Sequence, residues 1–194
     1  MILVNIEKLS DMGDCTIDGY DDGNWFVADS FSFGVEREMK ESGEKAGTED
    51  INIGVGELQE CAISKSMDRS STLLAQAAIN GNSLGPAQIH FVEVAGPGGG
   101  FEGHPFCYLK YTLNRCFVKS WSTSGDADDR PTEEIAFYYN KIAFNYAYTP
   151  DGKTFQKCQE MAWNNVTNKK WDGHGLSLDA NKGFTKSLPA ADAK

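Results

Sequence analysis

The stretch Lys110-Tyr-Thr-Leu-Asn-Arg-Cys-Phe-Val-Lys-Ser-Trp121 is rich in β-branched and aromatic residues, and so is Ile135-Ala-Phe-Tyr-Tyr-Asn-Lys-Ile-Ala-Phe-Asn-Tyr146. Between them, Ser124-Gly-Asp-Ala-Asp-Asp-Arg-Pro-Thr-Glu133 carries turn-forming and charged residues. Two strand-forming runs divided in this way predict two long antiparallel strands joined by an acidic loop.

Working outward, Ile2, Val4 and Ile6 alternate with Leu3, Asn5 and Glu7, which predicts a half-buried strand near the start of the chain. Asp18-Gly19 and Asp21-Asp22-Gly23 mark turns. In Trp25 to Val35 the odd positions Trp25, Val27, Phe31, Phe33 and Val35 fall on one strand face, opposite Ala28, Ser30, Ser32 and Gly34, while Phe26 and Asp29 break the pattern. Glu36 to Asp50 has mixed charge and few apolar residues, so it is expected to project as a long loop. Ile51–Val55, Cys61–Ser66 and Ala87–Val94 read as further strands. One helix is predicted at about residues 70–80: Ser70 or Ser71 as cap, Leu73, Leu74, Ala77 and Ala78 as apolar stripe, Asn80-Gly81 as stop. Gly96-Pro-Gly-Gly-Gly100 and Thr149-Pro-Asp-Gly-Lys153 are loop signals, and beyond Trp171 the Gly-, Asp-, Asn- and Lys-rich sequence is expected to fray.

At 194 residues the chain is expected to form one domain plus a tail. A net charge of −10 argues against a nucleic-acid-binding face, which needs clustered Lys and Arg. The apolar start is too short for a signal-peptide core, and no run reaches the length of a membrane span, so a soluble cytoplasmic product is expected. Five cysteines (Cys15, Cys61, Cys107, Cys116 and Cys158) without a CxxC pair predict reduced, partly buried thiols.

Signals for chemistry are weak. Gly96–Gly100 lacks the Gly-Lys-Ser/Thr of a phosphate loop, and His90, His104 and His174 have no paired ligand spacing. Asp126, Asp128 and Asp129 lack the spacing of a calcium loop. Gly81-Asn-Ser-Leu-Gly85 matches the letters of a nucleophile elbow, but a helix precedes Ser83 and a strand follows, the reverse of the required order. No catalytic residue, metal ligand or cofactor is assigned, and the chain is read as not an enzyme.

Seven segments, in one order from about Met1 to Lys170, resemble the Hcp family, the tube protein of bacterial type VI secretion systems. They are Met1-Ile-Leu-Val-Asn-Ile6, Asp29-Ser-Phe-Ser-Phe-Gly34, Ile63-Ser-Lys-Ser-Met-Asp68, Gln88-Ile-His-Phe-Val-Glu93, Tyr108-Leu-Lys-Tyr-Thr-Leu113, Asp129-Arg-Pro-Thr-Glu133 and Lys141-Ile-Ala-Phe-Asn-Tyr146. The resemblance implies a mainly β fold, a compact β-barrel of two packed antiparallel sheets with one short helix, over residues 1–170, with 171–194 as a flexible tail. It further implies homo-hexameric rings that stack into a tube within a contractile sheath, carry a VgrG-type spike, hold small effectors in the lumen, and leave the bacterial cytoplasm through the type VI apparatus without a signal peptide. No nucleic acid partner and no membrane insertion are expected.

On that resemblance Ser32 is the candidate lumen-lining residue. Glu36, Arg37, Glu38, Lys40, Glu41, Glu44 and Lys45 in the charged segment are candidate contacts to neighbouring subunits or rings, as are Asp129, Arg130 and Glu133. The Gly96–His104 segment looks longer than usual for the family, and Phe101 and Phe106 could pack locally or form a contact patch. The competing reading is a monomeric β-barrel module that binds peptide or carbohydrate through its loops.

Overall fold

The computed structural model describes residues 1–41, 51–94 and 103–191. In chain order the elements are β1 (Ile2–Ile6), β2 (Trp25–Ala28), β3 (Ser30–Ser32), β4 (Val35–Glu41), β5 (Ile51–Leu58), β6 (Cys61–Ser66), α1 (Ser71–Asn80), β7 (Gly85–Val94), β8 (Pro105–Ser124), β9 (Thr132–Tyr138) and β10 (Lys141–Tyr148). Five short strands follow: β11 (Gln156–Lys157), β12 (Met161–Asn164), β13 (Lys169–Lys170), β14 (Leu178–Asp179) and β15 (Gly183–Phe184).

The predicted pair of long strands is present as one hairpin bent at a common level. Lys141 pairs Asn114 and Tyr138 pairs Phe117, so one register runs through the break. Arg115 adopts φ 54°, a left-handed conformation uncommon outside glycine, and there β8 turns from one sheet to the other. Opposite it, the expected strand from Ile135 to Tyr146 divides into β9 and β10, and the Asn140 amide donates to the Asn114 carbonyl. Below the corner, β8 lies between β7 and β10 in a first sheet ordered β13-β12-β10-β8-β7-β1-β2; above it, β8 continues into a second sheet, β8-β9-β6-β3.

The Trp25–Val35 run also divides. β2 pairs β1 in the first sheet and β3 pairs β6 in the second. Asp29, one of the two residues that spoil the alternation, is the crossing point, and its amide donates to the Ser64 carbonyl at 2.8 Å. The expected single apolar face is therefore corrected. Trp25 and Phe26 are both buried, on opposite faces of β2, while Val27 is exposed. The two sheets meet at the Arg115 and Asp29 corners, but among the described residues β2 pairs only β1 and β3 only β6, so the hydrogen-bond ladder there does not close into a barrel.

Between the sheets lies the main core: Val4, Phe26, Ile89, Leu113 and Ile142 of the first sheet face Ile63, Val118, Ile135 and Phe137 of the second. Burying side chains of this size contributes about 1.5–3 kcal/mol each. Helix α1 closes one side through Leu74 and Ala77, whereas Leu73 of the expected stripe is 40% exposed. Gly81 ends the helix in the left-handed conformation, as expected, with its amide on the Ala77 carbonyl. Ser70 stands at the N-cap as expected, but no side-chain capping bond forms because both hydroxyls are engaged elsewhere: Ser70 donates to Asp68 and Ser71 to Glu133.

The charged segment begins as a strand rather than a loop, since β4 pairs β5 from Val35↔Leu58 to Glu41↔Ile51, while residues 42–50 lie outside the described residues. Strand pairing satisfies the backbone where apolar burial is scarce. All five cysteines are free, with Cys15, Cys61, Cys107 and Cys116 buried and Cys158 exposed. Burial pushes the Cys107 thiol up to about 12, which keeps it protonated and unreactive at neutral pH.

The C-terminal region differs most from expectation. Rather than fraying, residues 171–191 fold back over the outer face of the first sheet. Trp171 and Leu176 pack on Ala143 and Ala162. Phe184 joins Leu3, Trp25 and Cys107 in a second cluster, and Gly183 pairs Cys107 of β8 in parallel. The approach is close enough that a Cβ on Gly183 would lie 2.2 Å from the Cys107 carbonyl oxygen. Polar groups of the sheet hold this strap by its backbone: Lys110 Nζ donates to the carbonyls of Gly175 (3.1 Å), Thr185 (2.7 Å) and Ser187 (2.7 Å). Gln88 donates to the Lys186 carbonyl and Asn114 to that of Ala190.

Candidate functional site

Strand parity in the second sheet separates two kinds of residue. Cys61, Ile63 and Lys65 of β6 point inward and are buried; Ala62 and Ser64 point outward with the residues paired to them. Cross-strand register then builds two rows over four strands. One runs Ser30–Ser64–Glu134–Ser122, the other Ser32–Ala62–Ala136–Ser120. Ser30 and Ser64 share a hydrogen bond of 2.6 Å between their hydroxyls. The face is a shallow groove of about 350 Å³, flanked by Glu60, which pairs with Lys119 at the rim.

Ser, Ala and Glu keep this face wet and only weakly charged. Nucleophilic use of a serine needs a base in hydrogen-bond reach, and the partner found for Ser30 is another hydroxyl. A larger hollow of about 730 Å³ opens between the strap and Asp18–Tyr20, where acidic, basic and aromatic residues mix without a repeating pattern. Among the described residues, no group of three or more His, Cys, Asp or Glu is placed to hold a metal ion. Ser83 lies between α1 and β7, its hydroxyl accepting from the Gly85 amide.

The candidate contact residues divide into separate places. Ser32 is exposed on the serine face. Glu36, Arg37 and Glu38 are exposed on β4, where Glu36 accepts from Gln59 at 3.1 Å. Lys40 and Glu41 pair Asn52 and Ile51 along the ribbon, whereas Glu44, Lys45, Gly96–Gly100 and Phe101 lie outside the described residues. Phe106 packs against Phe155, 5.1 Å between ring centres. Asp129 and Arg130 are exposed in the β8–β9 loop.

Glu133 is not a surface contact. It is fully buried, with Oε1 2.8 Å from Lys65 Nζ and 2.9 Å from the Ser71 hydroxyl, and Oε2 2.7 Å from the Trp121 indole nitrogen. Lys65, also fully buried, completes its bonds with Asp68 at 2.8 Å and the Ser66 carbonyl. The correction has a simple cause: β9 alternates, so Glu133, Ile135 and Phe137 share the inward face and Glu134 the outward one. This network ties β6, β8, β9 and α1 together. Its sequence signal was the parity of Lys65 with Cys61 and Ile63, which places a lysine on the apolar face.

Comparison with known proteins bears on these surfaces. The family model described as type VI secretion system effector, Hcp, matches residues 3–146. A structure described as a type six secretion system protein is 25% identical, with a TM-score of 0.73, over 88% of this chain and 98% of its own. Hcp1 from Salmonella typhimurium is 19% identical, with a TM-score of 0.64, over 88% of this chain and 97% of its own. A type VI secretion system effector from Yersinia pestis is 13% identical, with a TM-score of 0.60, over 84% and 99%. The search of curated proteins finds no match.

Proposed function

The chain belongs to the Hcp family of type VI secretion system proteins, and on that premise we propose that it works as a ring subunit whose serine face lines a central channel. Six copies close side by side into a ring, and rings stack into a tube that is exported through the type VI apparatus without a signal peptide. A spike of the VgrG type, the contractile sheath and small effectors are its partners. The role is structural rather than catalytic.

The observation that carries this reading is the double row of serines and alanines, broken once by Glu134, across β3, β6, β9 and β8, with Ser32 at its end. Such a wall suits a passage: it holds water, offers hydroxyls to passing polypeptide, and leaves the apolar surface inside the sheets. The ribbon bearing Glu36, Arg37, Glu38, Lys40 and Glu41, with Glu44 and Lys45 beyond it, reaches a neighbouring subunit or ring. Asp129 and Arg130 meet a neighbour at the β8–β9 loop. Exposed ion pairs contribute only about 0–1 kcal/mol each, so these charges set register more than affinity.

The reading predicts a separation of effects at Ser32. Ser32→Arg places a long cation on an exposed position with no buried partner, so folding and ring formation should be preserved within about 0.5 kcal/mol of wild-type stability. Six such side chains pointing into one channel should abolish co-purification of a small effector. An unchanged effector yield from intact rings would exclude Ser32 from the channel wall.

A further inference from the structure

The outer face of the first sheet carries a row of polar side chains that sequence alone would leave in water: Gln88 and His90 on β7, Lys110 and Asn114 on β8. All four are buried, because the strap lies over them. His90 and Lys110 are direct cross-strand partners, and Lys110 spends its three protons on strap carbonyls. The imidazole is bound at both nitrogens: Tyr20 Oη is 3.1 Å from Nδ1 and Gln88 Oε1 is 3.0 Å from Nε2. An amide oxygen only accepts, so Nε2 carries the hydrogen and Nδ1 accepts from the tyrosine. The site is built for a neutral ring.

The same Gln88 holds the strap, donating through Nε2 to the Lys186 carbonyl at 2.7 Å. Groups facing His90 come from every element packed on it: Lys110 from β8, Lys186 from the strap, Tyr20 from the loop before β2, and the Trp25 ring from β2 at 4.7 Å. Lys186 itself sits 4.2 Å over the Tyr20 ring and, with Asp18 and Asp179, lines the neighbouring hollow. Among the described residues, no carboxylate is bonded to His90 or to Lys110. A proton on His90 would therefore place a second buried cation beside the Lys110 ammonium, with no anion to offset either.

We propose that residues 175–191 form an acid-released strap: protonation of His90 beside the buried Lys110 frees this segment from the sheet while the two packed sheets remain folded. Opening returns both cations to water and frees the Tyr20 hydroxyl to turn. Release can be local because, among the described residues, the main core contains none beyond Met161; the strap adds Leu176 and Phe184 to two smaller clusters. Gly173 and Gly175, at φ 78° and 70°, form the bend at which it would swing. The strap covers the face opposite the serine groove, so its release would change one side of the subunit and leave the other intact.

The sign follows from linkage. Burial, then Lys110 and Lys186, hold the His90 imidazole well below its ordinary 6.5, whereas an opened strap restores a normal histidine. Above pH 6.5 neither state binds the proton. As pH falls below 6.5 the open state gains it, and while the closed ring stays neutral the opening equilibrium rises by up to about tenfold per pH unit, with a ceiling of about 30-fold at pH 5.

Hydrogen exchange of the full-length wild-type chain and His90→Gln, read by mass spectrometry at matched pH, tests this because intrinsic exchange rates cancel. At pH 8 the strap peptide should exchange equally in both. At about pH 5 it should exchange 10–30 times faster in wild type, while peptides covering Cys61–Ser66 and Thr132–Tyr138 stay equally protected. Equal strap rates at pH 5, or acceleration of strap and core peptides together, would overturn the proposal. Should His90→Gln fail to fold, exchange at the His90 ring carbon in wild type decides: its titration must coincide with strap opening, and a midpoint near 6.5 with the strap still protected refutes the mechanism.

Discussion

Lys65→Met is expected to lower the unfolding free energy by about 3–5 kcal/mol, because it leaves buried Glu133 and largely buried Asp68 without their cation. Lys65 makes three bonds at 2.8–3.0 Å and lies 5.4 Å from the Phe26 ring centre. Methionine fits the apolar part of that space but supplies no donor. Adding Glu133→Gln removes the stranded charge, keeps an amide oxygen to accept from the Trp121 indole N–H and turns the amide nitrogen to donate to the Ser71 hydroxyl, and should recover at least about 1 kcal/mol. Urea denaturation of the two variants measures this. A single substitution costing under about 1 kcal/mol, or no recovery in the double variant, would show that the network is not the tie between the helix and the second sheet.

Lys110→Met is expected to detach the strap without unfolding the rest. Three part-buried carbonyls lose their shared donor together, at up to about 1–3 kcal/mol for each that finds no other partner. The protein limits that loss by letting the strap go, so the measured destabilisation should level off at the strap's own docking free energy. Trypsin reads the outcome: Lys182 and Lys186 should be cut rapidly in the variant, while the chain before Trp171 survives as one fragment. Cleavage throughout the chain would mean that the strap is part of the cooperative core.

Those two lysines also mark what could be read from the sequence and what could not. The long β8 hairpin, the strand at Ile2–Ile6 and the helix ending at Gly81 follow from local periodicity and turn chemistry, and all are present. Asp29 and Phe26 looked like noise in an alternating strand. They mark a strand that leaves one sheet for the other with both faces covered, a tertiary event no single period can encode. The family resemblance makes Glu133 a contact candidate, whereas its parity with Ile135 turns it inward.

The strap was hidden for a different reason. Its composition resembles a loop, and its attachment runs through its own backbone carbonyls, which carry no sequence signature. Only the receiving side chains are legible, and Gln88, His90, Lys110 and Asn114 read as the wet face of a half-buried sheet. A buried lysine whose partners are carbonyls rather than carboxylates leaves no charge pattern to find. The serine face was legible in part: Ser32 stood out opposite Phe31 and Phe33, but the two rows became visible only once the register of β6, β9 and β8 was known.

Assembly is the centre of the account, and negative-stain electron microscopy of the purified full-length protein tests it most directly. The account predicts six-fold rings with an open central hole, and a ring fraction that grows with ionic strength as salt screens the repulsion between acidic subunits. Monomers alone, at every protein concentration and salt level, would contradict it and return the chain to the reading of a binding module acting singly.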